Sequence, residues 1–177
     1  MKIISSENVN GQIYYKFDEF VGEGEGIMST SSYSLRKEKG DYYITMDKFH
    51  FEQRNIKGET TAYESLFLKD YLEPNKSWTG RYTYKTTYNS LQIPTVDTSV
   101  DYTGTILEKG ISLTVKGVKY KDVIKFRIEQ QTIVVVQEIG EATAYTSSID
   151  YWVSKNIGII KIATKDSTTE LLTYTLK

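Results

Sequence analysis

The residues able to do chemistry are few, and their spacing excludes more than it offers. The chain has no cysteine and a single histidine, His50, which removes thiol nucleophiles, thiolate metal sites and any second imidazole ligand. His50 sits in Tyr43-Ile-Thr-Met-Asp-Lys-Phe-His-Phe51, a strand-like setting in which an exposed or hydrogen-bonded spacer is expected rather than a catalytic base. Carboxylates occur close together as Asp18 with Glu19, Glu23 with Glu25 and Asp97 with Asp101. Two of them facing each other in a cleft would suffice for acid–base work, but nothing in the sequence brings a pair together. Val21-Gly-Glu-Gly-Glu-Gly26 is the most glycine-dense point. Its spacing fits neither the dinucleotide fingerprint nor the P-loop, and its glutamates would repel phosphate, so it reads as a turn or bulge.

The second group of interest is aromatic. Trp78, Tyr82, Tyr84 and Tyr88 fall in phase along one run, and alternate residues of a strand share a face. With Trp152 they form the candidate ligand-binding surface; the competing reading is that they pack against a second layer. No cofactor, metal or catalytic residue is expected.

The elements that must position these side chains are strands. Fifteen Tyr, 6 Phe and 2 Trp, with only 2 Pro, accompany abundant Thr, Ser, Ile and Val, a composition suited to a pleated, half-buried surface. Runs at 12–20, 28–35, 41–51, 78–88, 100–107, 111–118 and 123–129 alternate, with turns expected at 108–110 and 119–122. The segment 63–71 places Tyr63, Leu66, Phe67 and Tyr71 at helical spacing and is read as a possible short helix. Residues 89–99 are read as a loop. Three runs at 148–154, 157–164 and 169–176, joined by tight turns, close the chain as an antiparallel meander in which one face is buried and the other wet. The expected fold is all-β. About eleven or twelve strands make a curled antiparallel sheet, as a half-barrel or an open barrel or sandwich, with at most one short helix, in a single domain over residues 1–177. At 177 residues such a domain buries roughly 70% of its unfolded surface.

Charge and hydropathy narrow the partners. Twenty-two basic and 23 acidic residues give a net charge of −1 with no concentrated positive face, so nucleic acid is not an expected partner. No apolar run reaches the roughly 18–20 residues of a spanning helix, so the chain is read as not membrane-spanning. Its start, Met1-Lys-Ile-Ile-Ser-Ser-Glu-Asn, has no signal-peptide core; taken literally, that implies a cytoplasmic protein. Oligomeric state is not legible.

Three stretches carry a resemblance. Leu68-Lys-Asp-Tyr-Leu-Glu-Pro-Asn-Lys-Ser-Trp78, Val115-Lys-Gly-Val-Lys-Tyr-Lys-Asp-Val-Ile-Lys125, and Tyr151-Trp-Val-Ser-Lys-Asn-Ile-Gly-Ile-Ile-Lys161 with Glu170-Leu-Leu-Thr-Tyr174 resemble a family of exported or lipid-anchored bacterial cell-envelope β-proteins. Its fold is similar to the half-barrel of the lipoprotein carrier and receptor superfamily. The resemblance covers about residues 65–177 and implies a concave apolar sheet face and a periplasmic or cell-envelope location, with a signal trimmed away. The family has no established active site, so no functional residue is carried over.

Three functions follow as expectations. The first is a non-catalytic domain binding an apolar or amphiphilic, lipid-like molecule on a concave face. The second is a structural or protein-interaction module of the envelope, using exposed tyrosines and strand edges. A carboxylate-dependent enzyme is the third.

Overall fold

Two-residue turns set the register. Asn10-Gly11, Lys39-Gly40 and Lys116-Gly117 each place two successive residues at positive φ, at 53° and 83°, 50° and 96°, and 48° and 80°. That backbone matches the twist of paired strands. In a computed structural model, which describes residues 3–17, 20–24, 27–31, 33–53, 56–90 and 92–172, these turns close the hairpins β1 (Ile3–Val9) with β2 (Gln12–Phe17), β5 (Tyr33–Glu38) with β6 (Asp41–Met46), and β11 (Val96–Val115) with β12 (Val118–Val136). The remaining strands are β3 (Phe20–Gly24), β4 (Ile27–Ser31), β7 (Phe49–Gln53), β8 (Ile56–Thr60), β9 (Tyr63–Lys69), β10 (Ser77–Tyr88), β13 (Glu141–Ser154), β14 (Gly158–Ala163) and β15 (Thr168–Glu170).

The protein is all-β. Among the described residues there is no helix, and the strands form two antiparallel sheets that do not close into a barrel. One has the order β1-β2-β5-β6-β9, the other β15-β14-β13-β12-β11-β10-β8-β7-β4-β3. Each expected run at 12–20, 28–35 and 41–51 is divided between the two. While β2 pairs with β5, β3 pairs with β4; while β5 pairs with β6, β4 pairs with β7. Each run thus contributes a strand to both sheets, and in the third Asp47 and Lys48 separate β6 from β7. Alternation carries on across such a break, so the sequence reads as one strand.

Two other expectations are corrected. Residues 63–69 form strand β9, not a helix, because the edge of β6 offers a ladder that a short run of ambiguous period takes up. The turns expected at 108–110 and 119–122 lie inside β11 and β12. Gly110 and Asp122 adopt φ of 67° and 53° there, so the signal marked a local kink and not a reversal.

The chain forms two compact units: Met1–Leu68, Gly80–Asp101 and Thr132–Tyr145 make the first, and Lys69–Thr79, Tyr102–Gln131 and Thr146–Lys177 the second. Within the second, Phe126 is fully buried, with its ring 5.9 Å from that of Trp78 and stacked at 5.2 Å on Tyr151. Val115, Tyr120, Val123 and Ile160 form an adjoining cluster, against which Trp152 and Leu171 pack. The closing meander holds Leu171 inward, its N–H donating to the Ile160 carbonyl at 2.9 Å, and leaves Leu172 72% exposed. The outer part of the expected last strand, with Tyr174 and Leu176, lies outside the described residues.

Gly104 lies directly under Trp78, and a Cβ there would overlap the indole. Trp78 is only 5% exposed and its ring is rigid, so Gly104→Ala is expected to cost about 1–3 kcal/mol by overpacking. The result would appear as a lower urea midpoint and shifted tryptophan emission; an unchanged midpoint would contradict this packing.

Candidate functional site

The five aromatic candidates are distributed among separate packing contacts. Trp78 is buried against Gly104 and Phe126. Tyr82 and Tyr84 of β10 are brought together, both stacking on Tyr63 of β9 at 4.5 and 5.3 Å. Tyr88 meets Phe51 edge-on at 5.8 Å. Trp152 has the Lys125 and Lys161 ammoniums over its ring at 5.2 and 5.4 Å, and Lys161 is itself bonded to Glu170 at 3.2 Å. The phase read from the sequence is the phase of the burial pattern in β10, and each of these rings packs against protein.

His50, Asp97 and Asp101 each lie near a charged side chain. The His50 side chain is 70% exposed, with Nδ1 3.7 Å from Glu59. Glu59 is bonded by Lys48 at 2.7 Å, which holds its carboxyl below the usual range. Asp97 and Asp101 lie on one strand, each with its own cation, Lys85 and Arg81, both at 3.6 Å. Asp18, Glu19 and Glu25, and the side chain of Glu23, lie outside the described residues. No group of three metal-ligating side chains occurs among the described residues. No described helix is long and apolar enough to cross a membrane. A pocket of about 340 Å³ between β10, β11 and β12 is walled by Thr61, Thr83, Ile133 and Val135 and the Lys85–Asp97 pair.

The feature that stands out chemically lies in the five-stranded sheet of the first unit, where strands β2 and β5 have inverted sidedness. Cross-strand partners share a face, so the register assigns each side chain. Ser6, Tyr15, Leu35 and Ile44 form one row, and Tyr33 with Met46 and Lys37 with Tyr42 lie on the same side, as do Asn8 and Ile13. The opposite face carries Glu7, Tyr14, Arg36 and Tyr43 in one row, with Lys16, Ser34, Thr45, Glu38 and Asp41 beside it. In β2 and β5 the polar face is the more covered one. Ser34 and Arg36 are 6% and 8% exposed, whereas Ile13 and Tyr15 on the apolar face are 49% and 44% exposed.

Arg36 explains how the polar face is covered. Its guanidinium forms two bonds to Glu64, at 2.9 and 2.5 Å, and one to Glu38 at 2.8 Å, and it lies 3.8 Å over the Tyr43 ring. Thr45 adds a hydroxyl to Glu64 at 2.9 Å. The bonds from Arg36 hold the Glu64 carboxyl below the usual range, against the opposing effect of burial, and raise the Arg36 guanidinium further. On the apolar face Lys37 is the one charged residue among those described on β1, β2, β5 and β6. Its ammonium meets the Tyr42 hydroxyl at 2.7 Å.

This face was missed at sequence level although its alternation was visible, because a period of two defines two faces and not which one is covered. Fold and site together define a class: an all-β protein of two antiparallel sheets with a partly exposed apolar sheet face. No protein-family model, curated protein or solved structure matches the chain.

Burial raises the phenols of Tyr33 and Tyr84 above their ordinary value and pushes Tyr151 up to about 12. A raised folded pKa stabilises fully below the unfolded value near 10 and loses that contribution as pH rises toward the folded value. Stability is therefore expected to fall between about pH 10 and 12. Phenolate absorbance should show a late class of tyrosines released with unfolding; a single titration near 10 in the folded protein would contradict it.

Proposed function

We propose that the protein is a non-catalytic binding domain that takes an amphiphile with an anionic head on the apolar face of its five-stranded sheet. The reading places it in the periplasm or cell envelope, on the resemblance of residues 65–177. The observation that carries it is the inverted sidedness: Ile13 and Tyr15 stand nearly half exposed while Arg36 is covered. Apolar surface left in water on a sheet whose Arg36 is already paired with Glu64 and Glu38 is free energy available to a ligand, at roughly 25 cal/mol per Å² covered. An alkyl chain lying along Ile13, Tyr15, Leu35 and Ile44 would place a negative head at Lys37 and Tyr42.

Titration with a long-chain carboxylate below its micelle concentration, read by native mass spectrometry, tests this. A one-to-one adduct is expected, weakened about tenfold or more by Ile13→Glu. Lys37→Glu should weaken the carboxylate while sparing a neutral alcohol of the same chain. A clean unliganded mass, or binding indifferent to Ile13→Glu, would overturn the reading. Both positions are exposed, so circular dichroism of the variants should stay unchanged.

A further inference from the structure

Strand β13 carries a second surface, independent of the amphiphile reading. On one side it neighbours β12; on the other, β14 joins it only from Asp150, paired with Ala163, to Ser154, paired with Gly158. Among the described strands nothing pairs with that edge of its first part, and Glu141–Tyr145 in the first unit is exposed on both faces. Its sequence is Glu-Ala-Thr-Ala-Tyr: no lysine, no proline and one charge, at its first position.

Edges exposed to solvent are ordinarily kept from pairing by being short or charged. Two of the sheet-edge strands follow that rule. The edge strand β15 has three residues, and its Glu170 is ion-paired with Lys161 and Lys116 at 3.2 and 3.6 Å. The edge strand β9 carries Glu64 and Lys69. At Glu141–Tyr145, by contrast with these two, a β-compatible edge with a single terminal charge stands open.

We propose that Glu141–Tyr145 is the contact edge of a homodimer, pairing antiparallel with the same segment of a second copy about a two-fold axis. Centred on Thr143, such pairing sets Ala142 opposite Ala144, Thr143 opposite itself and Glu141 opposite Tyr145. Small and hydroxyl side chains meet, and no like charges do. An acidic peptide would find no counter-charge along this edge, whereas a second copy brings a strand whose one charge, Glu141, falls opposite the uncharged Tyr145.

The absence of native cysteine makes the test direct. Sedimentation of the full chain should show a dimer, and Thr143→Lys, which sets two ammoniums opposite each other, should raise its dissociation constant about tenfold or more. The substituted side chain is exposed, so the melting temperature of the monomer should hold. Thr143→Cys should form a disulfide-linked dimer under mild oxidation of the native protein and lose it in denaturant. A wild-type chain that stays monomeric up to about 0.1 mM, a dimer indifferent to Thr143→Lys, or a monomer that captures only foreign extended peptides would each overturn the proposal.

Discussion

Phe126→Ala should be the most damaging single truncation in the second unit, costing about 3–5 kcal/mol. Phe126 is fully buried between Trp78 and Tyr151, so its removal combines lost transfer energy with a cavity walled by two rigid rings. Those rings cannot collapse into the space without leaving their own contacts. The change is readable because both tryptophans, Trp78 and Trp152, belong to this unit. Urea unfolding followed by their emission should show a much lower midpoint. Phe126→Leu, which keeps most of the volume, should cost about 1.5 kcal/mol or less. An alanine variant within about 1 kcal/mol of wild type would mean that the ring is not in a close-packed site.

In the first unit the largest effect is expected at Glu64. Glu64→Leu leaves the guanidinium of Arg36, a residue 8% exposed, with Glu38 and the rings of Tyr43 and Tyr14. Breaking a fully buried pair costs about 3–5 kcal/mol. Because the Glu64 side chain is 33% exposed and one carboxylate bond remains, about 2 kcal/mol is the better expectation. The double variant Arg36→Met with Glu64→Leu should recover at least about 1 kcal/mol of that loss, since the penalty lies in the unpaired cation more than in the missing attraction. Acid should have the same sign. A carboxyl whose folded pKa is depressed contributes fully above the unfolded value and loses that contribution as pH falls through the folded one. Between about pH 5 and pH 3 wild type should therefore lose more stability than Glu64→Leu. Denaturant midpoints across that range decide the matter, and a double variant weaker than Glu64→Leu alone would refute the account.

The strands themselves were legible because their causes are local. Alternation, β-branched and aromatic residues, and turns such as Asn10-Gly11 act within a few residues, so the all-β class and the closing meander at 148–170 were already present in the order of side chains. Local signals also misled where two outcomes share one signature. Gly110 and Asp122 announce positive φ, which serves a kink within β11 and β12 as well as a reversal. The run from Tyr63 fits a helix or a strand until β6 is beside it.

What only the tertiary structure decided is which face of each strand is covered, and by what. Tyr82 and Tyr84 announce one face of β10, but that they stack on Tyr63 depends on where β9 lies. Arg36 looks like a solvent-facing residue of a hairpin. It is buried because Glu64, 28 residues further along, arrives on β9 to receive it, and that same arrangement leaves Ile13 and Tyr15 on the open side. The sequence by itself determined the period of strands such as β10 and β12, since steric and turn preferences act between neighbours. The sidedness of the sheets was decided by contacts between residues far apart in the chain, and in this protein the candidate binding face exists only at that level.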